Sequence, residues 1–168
     1  MSAGRVAVVG AGSWGTALAN LLAKKGVETV LWSFEPEVAE GIMREHRNPV
    51  YLAEVALDAR LRATSSLEEA VRGAELVVSV SPSHVVRRTM QAAAPHLAPA
   101  ALVVSASKGI EVDSLQTMDE VLQEVLPPAQ ASRAVFLSGP SFALEVAQEQ
   151  PTAVTLASHS AGAAERVQ

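Results

Sequence analysis

Short runs of β-branched and aliphatic residues alternate along this chain with longer stretches whose apolar positions recur every three or four residues. The clearest runs are residues 6–9, 29–32, 76–80, 102–105 and 134–137, with weaker ones at 61–63 and 153–156. Most are continuously apolar, the pattern of strands covered on both faces. Between them, residues 14–25 set Ala17, Leu18, Leu21 and Leu22 on one helical face. That stretch ends in Lys24 and Lys25, with Gly26 placed for a C-terminal cap. The same periodicity predicts helices over 37–47, 67–72, 84–96, 115–126 and 142–149. Ser66, with Glu69 three residues on, resembles a capping box. Residues 48–57, marked by Pro49, have no clean period and read as an irregular excursion. Residues 160–168 read as the opening of another helix, the pattern expected of a truncated chain or an isolated domain.

Strands alternating with helices in this way are βαβ units. The expected fold is α/β: a Rossmann-like doubly wound, mostly parallel sheet with helices on both faces. The first strand runs directly into Gly10-Ala11-Gly12-Ser13-Trp14-Gly15, where the first helix begins. In this spacing Gly10 permits a tight turn, Gly12 lets backbone approach a pyrophosphate, and Gly15 lets helix pack closely on strand. The phosphate charge then faces the free N–H groups and positive end of the helix. The strand before and the helix after are the context this fingerprint requires.

Further candidate chemistry stands at strand ends, where such sheets bind ligands. Glu35 lies 20 positions past Gly15, about where an acid takes the ribose hydroxyls of NAD and repels the 2′-phosphate of NADP. It also fits a carboxylate at the positive end of the next helix. Phe34 is placed to stack on adenine. Ser81-Pro82-Ser83-His84 leads from a strand into a helix, with Ser83 the expected N-cap and His84 at the surface. Ser107-Lys108-Gly109 puts a cation beyond a strand, able to bind a phosphate or polarise a carbonyl, or else simply solvated. Ser138-Gly139-Pro140-Ser141-Phe142-Ala143 offers backbone N–H groups to an anion, or an ordinary turn capped by Ser141.

Composition narrows the function further. Over 168 residues, 49% are hydrophobic and only 4% aromatic, so Val, Leu and Ala must fill one domain-sized core. A formal net charge of -5 gives nucleic acid no general attraction, so an anionic ligand needs a local site. Without cysteine, thiol chemistry is excluded; this fits a reducing cytoplasm. No apolar run reaches membrane-spanning length.

Taken together, these segments resemble the N-terminal domain of glycerol-3-phosphate dehydrogenase, which interconverts dihydroxyacetone phosphate and sn-glycerol 3-phosphate and serves glycerophospholipid synthesis. The resemblance rests on GAGSWGTALA at 10–19, NPVYL at 48–52, SPS at 81–83, SKGIE at 107–111, SGPSFALEV at 138–146 and PTAV at 151–154. It implies that Ser13 and Trp14 contact the dinucleotide at the turn, and that Phe34 and Tyr51 surround its adenosine. Lys108 would face nicotinamide and substrate, polarising the reacting oxygen. Gly139 and Ser141 would contact the phosphorylated substrate, and Ala143 would lie against the cofactor. The Trp-x-Phe-Glu run at 32–35 looks like that of eukaryotic, NAD-preferring members, so NAD is favoured over NADP.

The resemblance further implies a dinucleotide-binding domain over 1–160, with 161–168 starting a further helix toward a helical substrate domain. That domain, expected beyond Gln168, would carry the acid–base lysine and a substrate-phosphate arginine. These 168 residues alone are therefore expected to turn over weakly or not at all. The complete protein is expected to be cytoplasmic, with a homodimer as its possible assembly. Two other readings stay open at this point. One is a stand-alone, non-catalytic dinucleotide module or sensor. The other is the cofactor domain of a different dehydrogenase, such as a ketopantoate reductase or a 6-phosphogluconate-type enzyme.

Overall fold

A computed structural model describes residues 4–139 and 141–168. Seven strands form one sheet: β1 (Val6–Val9), β2 (Thr29–Trp32), β3 (Arg62–Thr64), β4 (Leu76–Ser79), β5 (Leu102–Ser105), β6 (Val135–Ser138) and β7 (Thr155–Ser158). Their order is β3-β2-β1-β4-β5-β6-β7. All neighbours are parallel except β6 and β7, which pair antiparallel from Val135 opposite Ser158 to Ser138 opposite Thr155. The chain reverses its lateral direction at β1, so the crevice outside the carboxyl ends of β1 and β4 is the topological switch point.

The helices are α1 (Ser13–Lys24), α2 (Pro36–Glu45), α3 (Leu67–Val71), α4 (Ser83–Ala93), α5 (Met118–Val125), α6 (Pro128–Ala131), α7 (Ala143–Ala147) and α8 (Ala161–Val167). Continuously apolar strands serve two cores at once. Ala7, Val9, Val30, Trp32, Val77 and Val103 face one way, against Val71 of α3, Val86 and Met90 of α4, and Leu122 of α5. Val6, Val8, Leu31, Val78, Leu102 and Val104 face the other way, against Ala19 of α1, Ile42 of α2 and Ala163 of α8. Thus the helix expected over 160–168 packs on the sheet. Gln168 is its C-cap rather than a helical residue, with its N–H on the Ala164 carbonyl at 3.1 Å. No described helix is long and apolar enough to cross a membrane.

Local chemistry explains the element ends. Gly26 (φ +81) closes α1 in a Schellman motif, with Gly26 N–H on the Ala23 carbonyl and Val27 N–H on that of Leu22. Ser66 does cap α3 by accepting from the Glu69 N–H, but Glu69 turns its carboxylate to the Thr64 hydroxyl rather than back to the cap. The predicted helix over 115–126 starts late, at Met118. Leu115 has left-handed backbone (φ +58), and Thr117 with Glu120 forms the complete capping box. Ser83 is not an N-cap: Pro82 holds that position with no side-chain cap bond, and Ser83 is the first helical residue. Short α6 has no counterpart among the predicted elements, and the predicted 84–96 helix ends in a 3₁₀ turn at Ala94–His96.

Close packing of α1 on β1 depends on Gly15. A Cβ there would sit 1.9 Å from the Gly10 carbonyl oxygen. Gly15→Ala is therefore expected to cost roughly 2 kcal/mol or more in unfolding free energy, as overpacking against backbone does. Urea denaturation measures this directly, and an unchanged midpoint would refute the packing argument.

Candidate functional site

The turn after β1 is shaped by two different demands on its glycines. Gly10 takes φ +126, and a Cβ on it would lie 3.0 Å from the Val80 carbonyl group. Gly10 and Gly15 are thus required by the protein's own packing. Gly12 is not: a Cβ there would meet nothing within 4 Å, and its φ of -65 suits any residue. Its missing side chain leaves open space in front of α1. Gly12 is the N-cap and provides no side-chain cap, so the first N–H groups of α1 are left for a ligand. No acidic residue occupies that first turn to compete with an anion.

The excursion that lacked a period is organised around Asn48, which is fully buried. Its Nδ2 donates to the Ala11 carbonyl and to Thr16 Oγ1, both at 2.8 Å. Its Oδ1 accepts from the N–H groups of Val50 and Tyr51 at 3.2 and 3.0 Å. One amide therefore ties the phosphate turn to residues 48–51. Ser13 Oγ adds a 2.6 Å bond to the Tyr51 carbonyl. The Tyr51 hydroxyl in turn donates to Glu35 Oε1 at 2.8 Å. Bonding to this carboxylate pushes the Tyr51 phenol above its ordinary pKa.

Glu35 occupies the N-cap position of α2 without capping it by its side chain. Its second oxygen accepts from the buried Ser33 hydroxyl at 3.2 Å. The acid is held by Tyr51 and Ser33 at the β2 strand end, where Phe34 is 71% exposed and meets Trp32 edge-on at 6.4 Å.

Hydroxyls stitch the central strand ends together. Ser81 Oγ donates to the Val9 carbonyl at 3.3 Å, and Ser107 Oγ to that of Ser81 at 2.7 Å. In the loop after β5, Gly109 takes φ +102, and a Cβ on it would lie 3.4 Å from the Ser83 hydroxyl. From this loop the Lys108 ammonium reaches the Ser141 carbonyl at 3.5 Å. Behind it lies a cluster that sequence reasoning missed. Arg87 Nε contacts both oxygens of buried Glu111 at 3.0 Å, while its other nitrogens reach Glu124 and Gln116. Ser114 donates to Glu111 as well. Arg87 holds Glu111 below the usual carboxylate range, and Gln116 with Arg87 does the same for Glu124. The loop carrying Lys108 is so anchored to α4 and α5.

One cleft of about 610 Å³ joins these parts. Gly10, Gly12, Ser13, Trp14, Gly15, Phe34, Glu35, Tyr51, Lys108 and Ser141 all line it. Gly139 and Ala143 do not. A Cβ on Gly139 would press within 2.9 Å of the Ala153 carbonyl, so this glycine serves packing ahead of β7. Ala143 packs with Trp14 and Ala17 beneath the cleft. Ser141 does not cap α7: Phe142 holds that position, and the Ser141 hydroxyl donates to the Gly139 carbonyl at 3.4 Å. Pro140 lies outside the described residues. Lys108 is the one lysine on the cleft among the described residues. His84 is exposed at the start of α4 and is not among the cleft residues, whereas Val85, Arg88 and Thr89 of that helix are. On α4 Arg88 falls opposite Val86 and Met90, while Val85 and the buried Thr89 flank that apolar face.

Two consequences are measurable. Asn48→Ala strands buried partners on both sides and is expected to cost about 2–4 kcal/mol in urea unfolding. A loss below about 0.5 kcal/mol would show that water replaces the amide. Glu111 has a folded pKa below its unfolded value, so its contribution is complete above the ordinary range near pH 4.3 and fades as pH falls through the folded value. Arg87→Gln should lower stability at pH 7, with the gap from wild type narrowing below about pH 4. Urea midpoints across pH test this; a gap undiminished at pH 3 would exclude the ion pair as its source.

Both the sequence and the fold recur in known proteins. The chain is 52% identical over 164 residues to "Glycerol-3-phosphate dehydrogenase [NAD(P)+]" of Citrifermentans bemidjiense, covering 98% of this chain and 49% of that protein. It is 53% identical over 164 residues to the protein of that name from Geobacter metallireducens, with the same coverage. Its fold superimposes on the crystal structure of glycerol-3-phosphate dehydrogenase from Coxiella burnetii with a TM-score of 0.87 at 31% identity, over 98% of this chain and 49% of that one. The chain therefore spans about half the length of the relatives it matches. The family model described as "NAD-dependent glycerol-3-phosphate dehydrogenase N-terminus" matches residues 5–164, and to that family this chain belongs.

Proposed function

We propose that this chain is the dinucleotide-binding half of an enzyme that interconverts dihydroxyacetone phosphate and sn-glycerol 3-phosphate by hydride transfer with NAD(P). The observation carrying the reading is the space in front of Gly12, which the protein's packing does not need and which opens onto unfilled helix N–H groups. The cleft has the right chemistry at both ends: a fixed acid and an aromatic ring at β2, and a cation at the β5 loop. Family membership favours this reading over a sensor module or a ketopantoate reductase.

In this reading Gly12, Ser13 and Trp14 take the diphosphate, Phe34 and Tyr51 flank the adenosine, and Glu35 accepts from the ribose hydroxyls. The acid also repels a 2′-phosphate, which favours NAD. Bound nicotinamide supplies the hydride acceptor or donor. Lys108 holds its ammonium at the substrate end, where a fixed cation stabilises negative charge developing on a carbonyl oxygen. Ser141 lines the cleft at that end; Gly139, on the substrate, and Ala143, against the cofactor, are assigned by the resemblance alone and stand just outside the cleft lining. Residues 1–160 make the cofactor domain, and 161–168 begin the passage toward a helical half, beyond Gln168, that supplies the acid–base lysine. The complete protein is read as a cytoplasmic enzyme and a homodimer; these two points rest on the resemblance.

Calorimetric titration of the chain with NAD tests the reading. Wild type is expected to bind at micromolar to millimolar concentration, on the order of other dinucleotide sites. Gly12→Val should lose roughly tenfold or more in affinity by blocking the diphosphate, while changing stability by less than about 1 kcal/mol. Absence of NAD binding by the wild type, or full binding by Gly12→Val, would sink it.

A further inference from the structure

Two adjacent arginines on α4 have opposite circumstances. Arg87 is committed to Glu111, Glu124 and Gln116. Arg88, one position on and so about 100° around the helix, is exposed and has no hydrogen-bond or ion-pair partner among the described residues. It lines the same cleft as Glu35. A guanidinium offers five donors and no acceptor, and its planar fork suits a phosphate. Its position on the fold says which phosphate. Trp32 belongs to the sheet face that α3 and α4 cover, and Phe34 stands edge-on to it. Arg88 comes from α4 on that same face, whereas α1, which receives the diphosphate, covers the other. The open cation therefore stands on the sheet face of Trp32 and shares its cleft with Phe34 and the fixed carboxylate.

We propose that Arg88 is a cofactor-selectivity residue: it takes the 2′-phosphate of NADP and offsets the repulsion from Glu35, so that one cleft admits both dinucleotides. This rests on the dinucleotide reading above. Glu35 cannot swing away without giving up Tyr51 and Ser33, so a 2′-phosphate can be accommodated only by a nearby positive charge. The opposed pair gives each cofactor a partner. NAD offers its ribose hydroxyls to Glu35 and needs nothing from Arg88. NADP forfeits the Glu35 interaction and gains a charge-assisted, bidentate contact in its place.

The test is titration of the full chain with NAD, NADP and, to isolate the phosphate, 2′,5′-ADP against 5′-AMP. Arg88→Gln is expected to weaken NADP and 2′,5′-ADP by roughly tenfold or more, with NAD and 5′-AMP changing less than about threefold. Arg88→Lys, which keeps charge without the fork, should fall between. Retained NAD binding also shows that the variant is folded. Equal weakening of NAD and NADP would overturn the proposal by placing Arg88 on the adenine ring or the diphosphate. No change in either, or a wild type that binds NAD and rejects NADP, would overturn it too. A wild type that binds neither dinucleotide would instead remove the cofactor reading itself, and this proposal with it.

Discussion

The contact between Gly15 and the carbonyl of Gly10 sets the position of everything at the site. With no side chain between them, α1 begins directly against the end of β1. A longer separation would move the helix terminus out of the crevice and turn its N–H groups toward solvent. The same closeness exposes the Ala11 carbonyl and Thr16 hydroxyl to Asn48, so the excursion can be pinned from outside. Strand order does the rest. The sheet changes direction at β1, which leaves the crevice between β1 and β4 uncovered by any crossover.

Electrostatics in the cleft work against the chain's overall charge. A protein of formal charge -5 presents to its ligand a helix terminus, Lys108 and Arg88, with Glu35 the acid on the cleft wall. Positive potential is thus local and supplied partly by backbone, which carries no desolvation cost of an ion. The Arg87 cluster contributes differently. Its charges satisfy one another, and their effect is mechanical: the loop bearing Lys108 is held from behind while its ammonium faces the cleft.

Much of the sheet was readable because both faces of the central strands are covered, which forces nearly continuous apolar runs. The last strand was harder. Its alternately exposed and half-buried residues belong to an edge, and it shifted from the expected 153–156 to Thr155–Ser158. Boundaries moved wherever a side chain or an unusual backbone overrode periodicity. Leu115 fits an apolar helical position, yet its φ of +58 breaks the helix, and the Thr117-to-Glu120 spacing was the cue for the true start. The tie from Asn48 to the phosphate turn left no local trace, because those partners lie 32 and 37 residues away, although its bonds to Val50 and Tyr51 are local. Motif spacing located Gly10, Gly12, Gly15, Phe34, Glu35, Lys108 and Ser141 on the cleft, the family resemblance added Ser13, Trp14 and Tyr51, and Val85, Arg88 and Thr89 were missed. It did not separate residues that touch the cleft from Gly139 and Ala143, which build the floor and the approach to β7.

The hydroxyl of Tyr51 on Glu35 makes this acid part of a circuit rather than a local device. Glu35 leads to Tyr51, the Tyr51 carbonyl to Ser13, and Ser13 back to the phosphate turn. Exchanging the acid therefore cuts a strut that helps seat the turn's own flank. A substitution at Glu35 thus reaches the flank of the phosphate turn through two hydrogen bonds, at positions far apart in the chain.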